Sequence, residues 1–423
     1  MREATSHTLG AYERRGDLEL GRGDVISTGD LAAYPGDYPV YSSSAVGDGV
    51  FGRYGRHMFD EELITWSIDG GGRPFHRRKH RFSVTNVCGF LRIKRPDRWD
   101  YGYLHAILEK LQSGIQFDYQ MKAHPSVIRD LYRFDCVPID EQRAIAELRD
   151  TLDTTIRQTE AIIEKLQQVK QGLLHDLLTR GIDTNGELRP PQNQAPHLYK
   201  DSLLGWIPRG WELRSVDQIS DSVVDGPFGS NLKTEHYVPV PGVRVVRLQN
   251  IGIGDFDDNE RAYVSESKAG ALSKNQVVGG DVLVAALGDE RYPVGRACCY
   301  PAELPAAVNK ADCFRQRPRK DIAIGPFVMR SLNGAAARRQ VRGFEQGVTM
   351  QRVNLSNLRK VVLSMPLVAE QQLICERVDA LDRTLATNMA LMSKLREQKS
   401  GLMDDLLTGR VRVTPLLDIA APA

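Results

Sequence analysis

Three basic clusters hold the residues whose types and spacing could do chemistry. They are His76-Arg77-Arg78-Lys79-His80-Arg81, then Arg315, Arg317, Arg319 and Lys320, and then Arg338, Arg339 and Arg342. Guanidinium and ammonium groups attract phosphate, and arginine also matches the paired acceptors of a guanine edge. Taken singly, each cluster reads first as a solvated face. The triple glycine Gly70–Gly72 precedes the first cluster but does not sit at a strand–helix junction, so no phosphate cradle is expected there.

Catalytic signatures are missing. The sequence has no G-x-x-x-x-G-K-[ST], His-Glu-x-x-His or Gly-x-Ser-x-Gly, no Asn-Pro-Pro-Tyr, and no G-x-G-x-x-G after a strand. Pro96-Asp97 could open a nuclease motif, but no acidic-x-Lys follows. The chain is therefore expected to be non-catalytic, with no cofactor or metal of its own. Six cysteines (Cys88, Cys136, Cys298, Cys299, Cys313, Cys375) lack C-x-x-C spacing and read as reduced, buried thiols. Cys298 and Cys299 should point to opposite faces of a strand.

Formal net charge is +2 over 423 residues. Residues 200–364 carry 23 Lys+Arg against 18 Asp+Glu, a net +5, whereas residues 1–136 carry 19 against 18, a net +1. A basic excess confined to one segment is compatible with a phosphate partner and does not establish one. No apolar run approaches the roughly 18–20 residues needed to cross a bilayer. The opening MREATSHTLG lacks the apolar core of a secretion signal, so a cytoplasmic protein with no membrane partner is expected.

The elements that must position these residues are set by a duplication. The run beginning at Glu141 and the run beginning at Glu370 align without a gap at an offset of 229, with 18 of 39 positions identical. Both lack proline, hold one glycine, and end in Asp-Leu-Leu-Thr. Apolar residues recur in steps of three and four at Ile145, Leu148, Leu152, Ile156, Ile162, Leu166, Val169, Leu173 and Leu177. The second copy has Ile374, Val378, Leu381, Leu385, Leu391, Leu395, Leu402 and Leu406. That spacing predicts two coiled-coil helices, each a rod of about 60 Å. Neither stripe can be buried alone, so the two rods are expected to pair antiparallel about a pseudo-two-fold axis. Leu152, Thr159 and Leu166 of one rod, and Leu381, Asn388 and Leu395 of the other, are the helix-pairing candidates. Thr159 and Asn388 are polar at equivalent positions and would face each other, fixing register; two unrelated polar seam positions are the alternative.

The segments before the rods are strand-rich, and they match weakly. EELITWSIDGGGR resembles GDVLVAALGDER, and VTNVCGFLR resembles AVNKADCFRQR, which places Phe90 opposite Phe314. The expected order is a first domain (1–137), a first helix (138–182), a proline-bearing linker (183–204), a second domain (205–365), a second helix (366–410) and a tail (411–423). The fold class is α+β, two strand-rich domains separated by two long antiparallel helices with a pseudo-two-fold internal repeat.

At this point the residues carry a family pattern. The second segment opens with GWIPRGWELRSVDQIS and continues with DGPFGSNLKTEHY, VRVVRLQNIG and GGDVLVAALGDERYPVGRACCY. It closes with QGVTMQRVNLSNLRKVVLSMPLVAEQQ. With the two Glu-Gln helices, this order resembles the specificity subunit of type I restriction–modification systems over nearly the whole length. The resemblance implies two target-recognition domains, each reading half of a split, asymmetric site in double-stranded DNA, with the helices as a ruler. One duplex turn is about 34 Å, so a rod of about 60 Å can separate two such modules. It also implies two methyltransferase subunits as partners, which bind S-adenosylmethionine, and motor-nuclease restriction subunits that join them.

The resemblance further implies candidate DNA-binding residues. In the second domain these are Ser230, Asn231 and Lys233, then Gln249 and Asn250, then Arg291 and Tyr292, and finally Gln346 and Thr349. In the first they are Ser42, Ser43, Ser44 and Arg73, with Arg77, Arg78 and Lys79 as phosphate contacts. The first domain departs from the pattern, because it lacks the Ile-Pro-x-Gly-Trp lead-in found at Ile207–Trp211 and starts almost at Met1. A scaffold whose globular ends bind proteins instead of DNA is the competing reading.

Overall fold

The structure, a computed structural model, describes residues 7–43, 47–117, 121–239, 242–347 and 350–413. Ser44 and Thr349 lie outside the described residues. The chain divides into two compact units, 1–162 with 389–423, and 163–388. Each unit therefore contains one strand-rich domain and part of both long helices. Among the described residues, no helix is long and apolar enough to cross a membrane.

In the first unit a six-stranded sheet is built from β1 (Leu18–Arg22), β2 (Tyr38–Tyr41), β3 (Val50–Tyr54), β4 (Phe59–Ser67), β5 (Pro74–Val84) and β6 (Cys88–Ile93), in the order β1-β6-β4-β5-β2-β3. Side chains alternate across a strand, so β4 feeds two cores. Ile64 and Trp66 pack with Leu91 and Ile93 against Tyr103, Leu104 and Ile107 of helix α1 (Tyr101–Ser113). Leu63, Phe59, Phe82 and Val84 form the opposite core. The first long helix, α2 (Ile139–Thr179), contributes Ile145 and Ala146 to the α1 side.

The second unit repeats this plan with changes. Its strands include β7 (Ser220–Val224), β8 (Val243–Val246), β9 (Val282–Ala285), β10 (Leu287–Gly288), β11 (Ala297–Cys299), β12 (Ala307–Asn309), β13 (Cys313–Pro318) and β14 (Gln351–Arg352). A four-stranded sheet runs β7-β13-β9-β11, the counterpart of β1-β6-β4-β5. Thr65 pairs Phe90 across β4 and β6, and Val284 pairs Phe314 across β9 and β13. Phe90 lies on the core away from α1, however, whereas Phe314 lies on the helix side, the facing of Leu91 in the first domain, so the expected match of Phe90 with Phe314 is out of step by one residue. The long strand β5 corresponds to two short ones, β11 and β12, with β12 running parallel to β8 as β5 runs parallel to β2. Val282, Val284 and Phe314 face helix α3 (Gly325–Asn333), while Leu283, Ala285 and Cys313 face the other core. Cys298 and Cys299 split between those two sides, as neighbours on a strand must.

The second long helix, α4, spans Val368–Leu407. Within the first unit α2 and α4 run antiparallel. Asp153 meets Lys399 (2.5 Å) and, further along α2, Glu160 meets Arg396 (2.5 Å). In the second unit Lys170 meets Asp382, also at 2.5 Å. Asp153 aligns with Asp382 and Lys170 with Lys399 in the repeat, so the two ion pairs are one contact made twice.

One detail of the stripe differs from the spacing. Ile156, Thr159 and Ile163 are the buried residues in the middle of α2, whereas Ile162 is 49% exposed. A straight helix at 3.6 residues per turn drifts from a 3.5 repeat, which moves the seam one position along. Leu152, Leu166, Leu381, Asn388 and Leu395 are half-buried. Thr159 donates to Thr155 O (2.8 Å) and Asn388 to Thr384 O (2.9 Å), so each polar group is satisfied on its own helix.

Candidate nucleic-acid interface

The joint between each long helix and its domain is built by the Glu-Gln pair. Gln142 is fully buried. Its amide donates to Val137 O (2.8 Å) and Arg98 O (2.9 Å) and accepts from Asp100 N (3.0 Å). Gln371, equally buried, donates to Pro366 O (2.9 Å) and Ile322 O (2.7 Å) and accepts from Ile324 N (3.0 Å). These partners are equivalent in the two copies: the residue two before each long helix, and the segment leading into α1 or α3. The domains thus differ in their loops while sharing one socket.

In the first domain the predicted residues lie on two loops that touch. Ser42 accepts a hydrogen bond from Thr85 Oγ1 (2.9 Å), and Ser43 O accepts one from Ser67 Oγ (2.6 Å). The glycine turn is packed tightly: Gly72 has φ of 74°, and a Cβ there would stand 2.9 Å from Phe117 and Ala123. It is a hairpin turn between β4 and β5. Arg73 is exposed, with its guanidinium 5.2 Å from the Phe75 ring.

The basic run does not form one open patch. Arg77 is only 8% exposed, donating to Thr65 Oγ1 (3.0 Å) and Asp48 O (2.7 Å) while stacked 3.6 Å from the Tyr41 ring. Burial holds its guanidinium below the ordinary arginine range. The expected phosphate contact at Arg77 is therefore corrected: an inward-facing arginine braces the loop that carries Ser42 and Ser43. Arg78 is exposed and pairs with Asp150 (2.5 Å), and Lys79 is exposed. In the second cluster Arg315 is 3% exposed, bound to Ser222 Oγ and Lys274 O, and Arg317 is paired with Asp281.

In the second domain three of the predicted loops meet at one corner. β10 pairs with β14, Leu287 opposite Arg352 and Gly288 opposite Gln351. This brings the Asp289–Tyr292 turn beside the Gln346–Arg352 segment, where Gln346 and Arg352 exchange backbone bonds of 2.9 Å. The third loop arrives through Phe228, whose ring lies 5.7 Å from the Arg352 guanidinium. Arg352 also binds Asp312 (2.6 Å). Arg291, Tyr292, Gln346, Asn231 and Lys233 are all exposed, and Ser230 lies in the short turn Gly229–Asn231. Lys233 stands 3.6 Å from Glu235.

The base of the third loop is fastened inside. A Cβ on Gly226 would stand 1.9 Å from the Lys310 carbonyl, so only glycine fits. Asp225 Oδ1 accepts from Gly226 N (2.7 Å) and Asp312 N (3.1 Å). Burial, with Asp312 nearby, pushes the Asp225 carboxyl up to about 6.

Gln249 and Asn250 part company. Gln249 is exposed and donates to Glu260 (2.8 Å), whereas Asn250 is fully buried. Asn250 accepts from Arg247 N (2.9 Å) and donates to Asp257 O (2.8 Å) and Glu260 O (3.0 Å), so it shapes the turn and leaves the surface to its neighbour.

Sequence reasoning passed over Arg296, which is 6% exposed and joins this turn to the corner above. An arginine in Tyr-Pro-Val-Gly-Arg, at the mouth of the apolar strand Ala297–Cys299, was the available cue.

No protein-family model matches the chain. It is 21% identical over 397 residues to the type I restriction enzyme MjaVIII specificity subunit of Methanocaldococcus jannaschii, a match spanning 90% of this chain and 88% of that one. A putative type I specificity subunit of Mycoplasma pneumoniae is 28% identical over 200 residues, 46% of this chain and 58% of its own. The crystal structure of a type I S subunit from M. genitalium shares the fold at a TM-score of 0.57, with 16% identity and coverage of 95% and 96%. In sequence and in fold, over nearly its whole length, the chain is similar to specificity subunits of type I restriction–modification systems.

Proposed function

We propose that the chain is the DNA sequence-specificity subunit of a type I restriction–modification complex. It reads a bipartite, asymmetric site, one half with each strand-rich domain, and carries out no catalysis itself. The observation that carries this reading is the paired construction. The two domains share the strand orders β1-β6-β4-β5 and β7-β13-β9-β11 and the Gln142 and Gln371 sockets, yet present different loops. One framework with two dissimilar reading surfaces suits two dissimilar half-sites. In this reading the long helices also seat two methyltransferase subunits, which bind S-adenosylmethionine, and restriction subunits join that core.

Footprinting of the complex with its methyltransferase tests the proposal. Protection of one split sequence, with affinity falling steeply as salt rises, is expected. Uniform protection at every sequence would overturn it, and the absence of any protection would favour globular ends that bind protein.

A further inference from the structure

Resting on that reading, we infer that Arg296 is the positioning residue that makes two reading loops of the second domain a single surface. Its guanidinium reaches four main-chain carbonyls on two separate loops. Nε donates to Ile251 O (2.7 Å) and Nη2 to Leu248 O (3.1 Å), on either side of Gln249 and Asn250. Nη1 donates to Leu287 O (2.9 Å) and Tyr292 O (3.2 Å), which bracket the turn carrying Arg291. Arginine alone among side chains offers five N–H donors in a rigid fork, so no other residue spans four acceptors this way.

The charge is held without a carboxylate. Arg296 forms no ion pair among the described residues, and burial lowers its pKa below the ordinary arginine range. Carbonyl dipoles stabilise it instead. Removing the fork takes a donor from all four carbonyls; Leu248 O and Tyr292 O keep the amides of Ile251 and Asp289, so each turn survives by itself while the tie between the two loops is lost. The Tyr292 ring, 46% exposed, lies 5.6 Å from the same guanidinium and 5.2 Å from that of Arg291. The exposed Gln249 side chain and the Arg291–Tyr292 tip are thus placed by one buried group. Base choice by one loop depends on the position of the other.

Two measurements on the full chain test this, with Arg296→Met and Arg296→Lys. In the DNA-free protein, Arg296→Met should speed amide hydrogen exchange in 248–252 and 287–292 together by about tenfold or more, with the paired residues of β9 and β13 unchanged. Faster exchange throughout the domain, or in neither loop, overturns the inference. In the DNA complex, Arg296→Met should lower base discrimination at least about fivefold in one half-site only, with Arg296→Lys intermediate. The control is Val216→Ala, a fully buried core residue outside both loops. Equal loss of discrimination in Val216→Ala, or full retention in Arg296→Met, refutes a positioning role. A wild-type complex lacking any base preference defeats the DNA-reading function, while the exchange result still decides whether Arg296 ties the loops.

Discussion

Arg412, just beyond the end of the second long helix, closes on both carboxylate oxygens of Glu141 at the start of the first (Nε–Oε1 2.7 Å, Nη2–Oε2 2.5 Å). Glu370, the repeat of Glu141, receives Arg189 in the same way at 2.5 and 3.1 Å. Each helix start thus grips the chain that leaves the other helix's end. Loss of the arginine leaves Glu141 with the Val413 amide and Glu370 with the Ile182 amide and the Trp211 indole, and exposure of the arginine decides the cost. The Arg412 side chain is 51% exposed, so water can replace it and Arg412→Ala should cost only about 1 kcal/mol. Arg189 is 19% exposed, and Arg189→Ala should cost about 2–3 kcal/mol. Calorimetry of the full chain should rank them in that order; the reverse ranking would discredit the burial argument.

The duplicated ion pairs make a second prediction. The side chains of Asp153–Lys399 and Lys170–Asp382 are 26% to 37% exposed, so Lys399→Met should cost no more than about 1 kcal/mol. Lys399→Glu sets two carboxylates together and should cost more. Exchanging the charges, Asp153→Lys with Lys399→Glu, should recover most of that loss. A double-mutant cycle with no recovery would remove these residues from any part in helix register.

Asp225 gives a pH dependence of defined sign. Its carboxyl is raised to about 6 from 3.8, so the folded domain holds a proton that the unfolded chain has released. That contribution is fully present below pH 3.8 and is lost as pH rises through 6. Allowing for partial exposure, ionisation should cost about 1–2 kcal/mol. Asp225→Asn keeps an oxygen for the Gly226 and Asp312 amides, so the variant should gain stability relative to wild type between pH 4.5 and 7.5. Parallel unfolding profiles across that range would contradict the assignment.

Arg291 is exposed at the corner where the β10 and β14 segments meet, beside Tyr292. Arg291→Ala should relax base choice in one half-site by about 1–3 kcal/mol and leave the other half-site alone. Selection from randomised DNA measures both at once. Equal weakening at all sequences would make Arg291 a phosphate contact.

The helices and their repeat were legible because periodicity and repetition are local signals. Glu141 and Glu370 mark the repeat, whereas matching Phe90 to Phe314 by residue type misses the register by one, because only the packed sheet shows which face each ring takes. Side-chain roles were less legible where a distant backbone decides them. Arg77 and Arg291 are both arginines next to turns; only the fold shows one stacked on Tyr41 and the other exposed. Gln249 and Asn250 are adjacent, yet a buried turn claims the second. Arg296 escaped notice because its partners are carbonyls, which no residue type advertises. The seam shift from Ile162 to Ile163 is a matter of helical drift that spacing alone leaves open.

The polar contacts of the sockets at Gln142 and Gln371 are made to three main-chain groups each, with the Cys136 thiol also against Gln142. A coupling made to backbone is indifferent to the side chains around it. Loops such as Gly226–Lys233 can then vary without re-engineering the fitting that joins their domain to the helix.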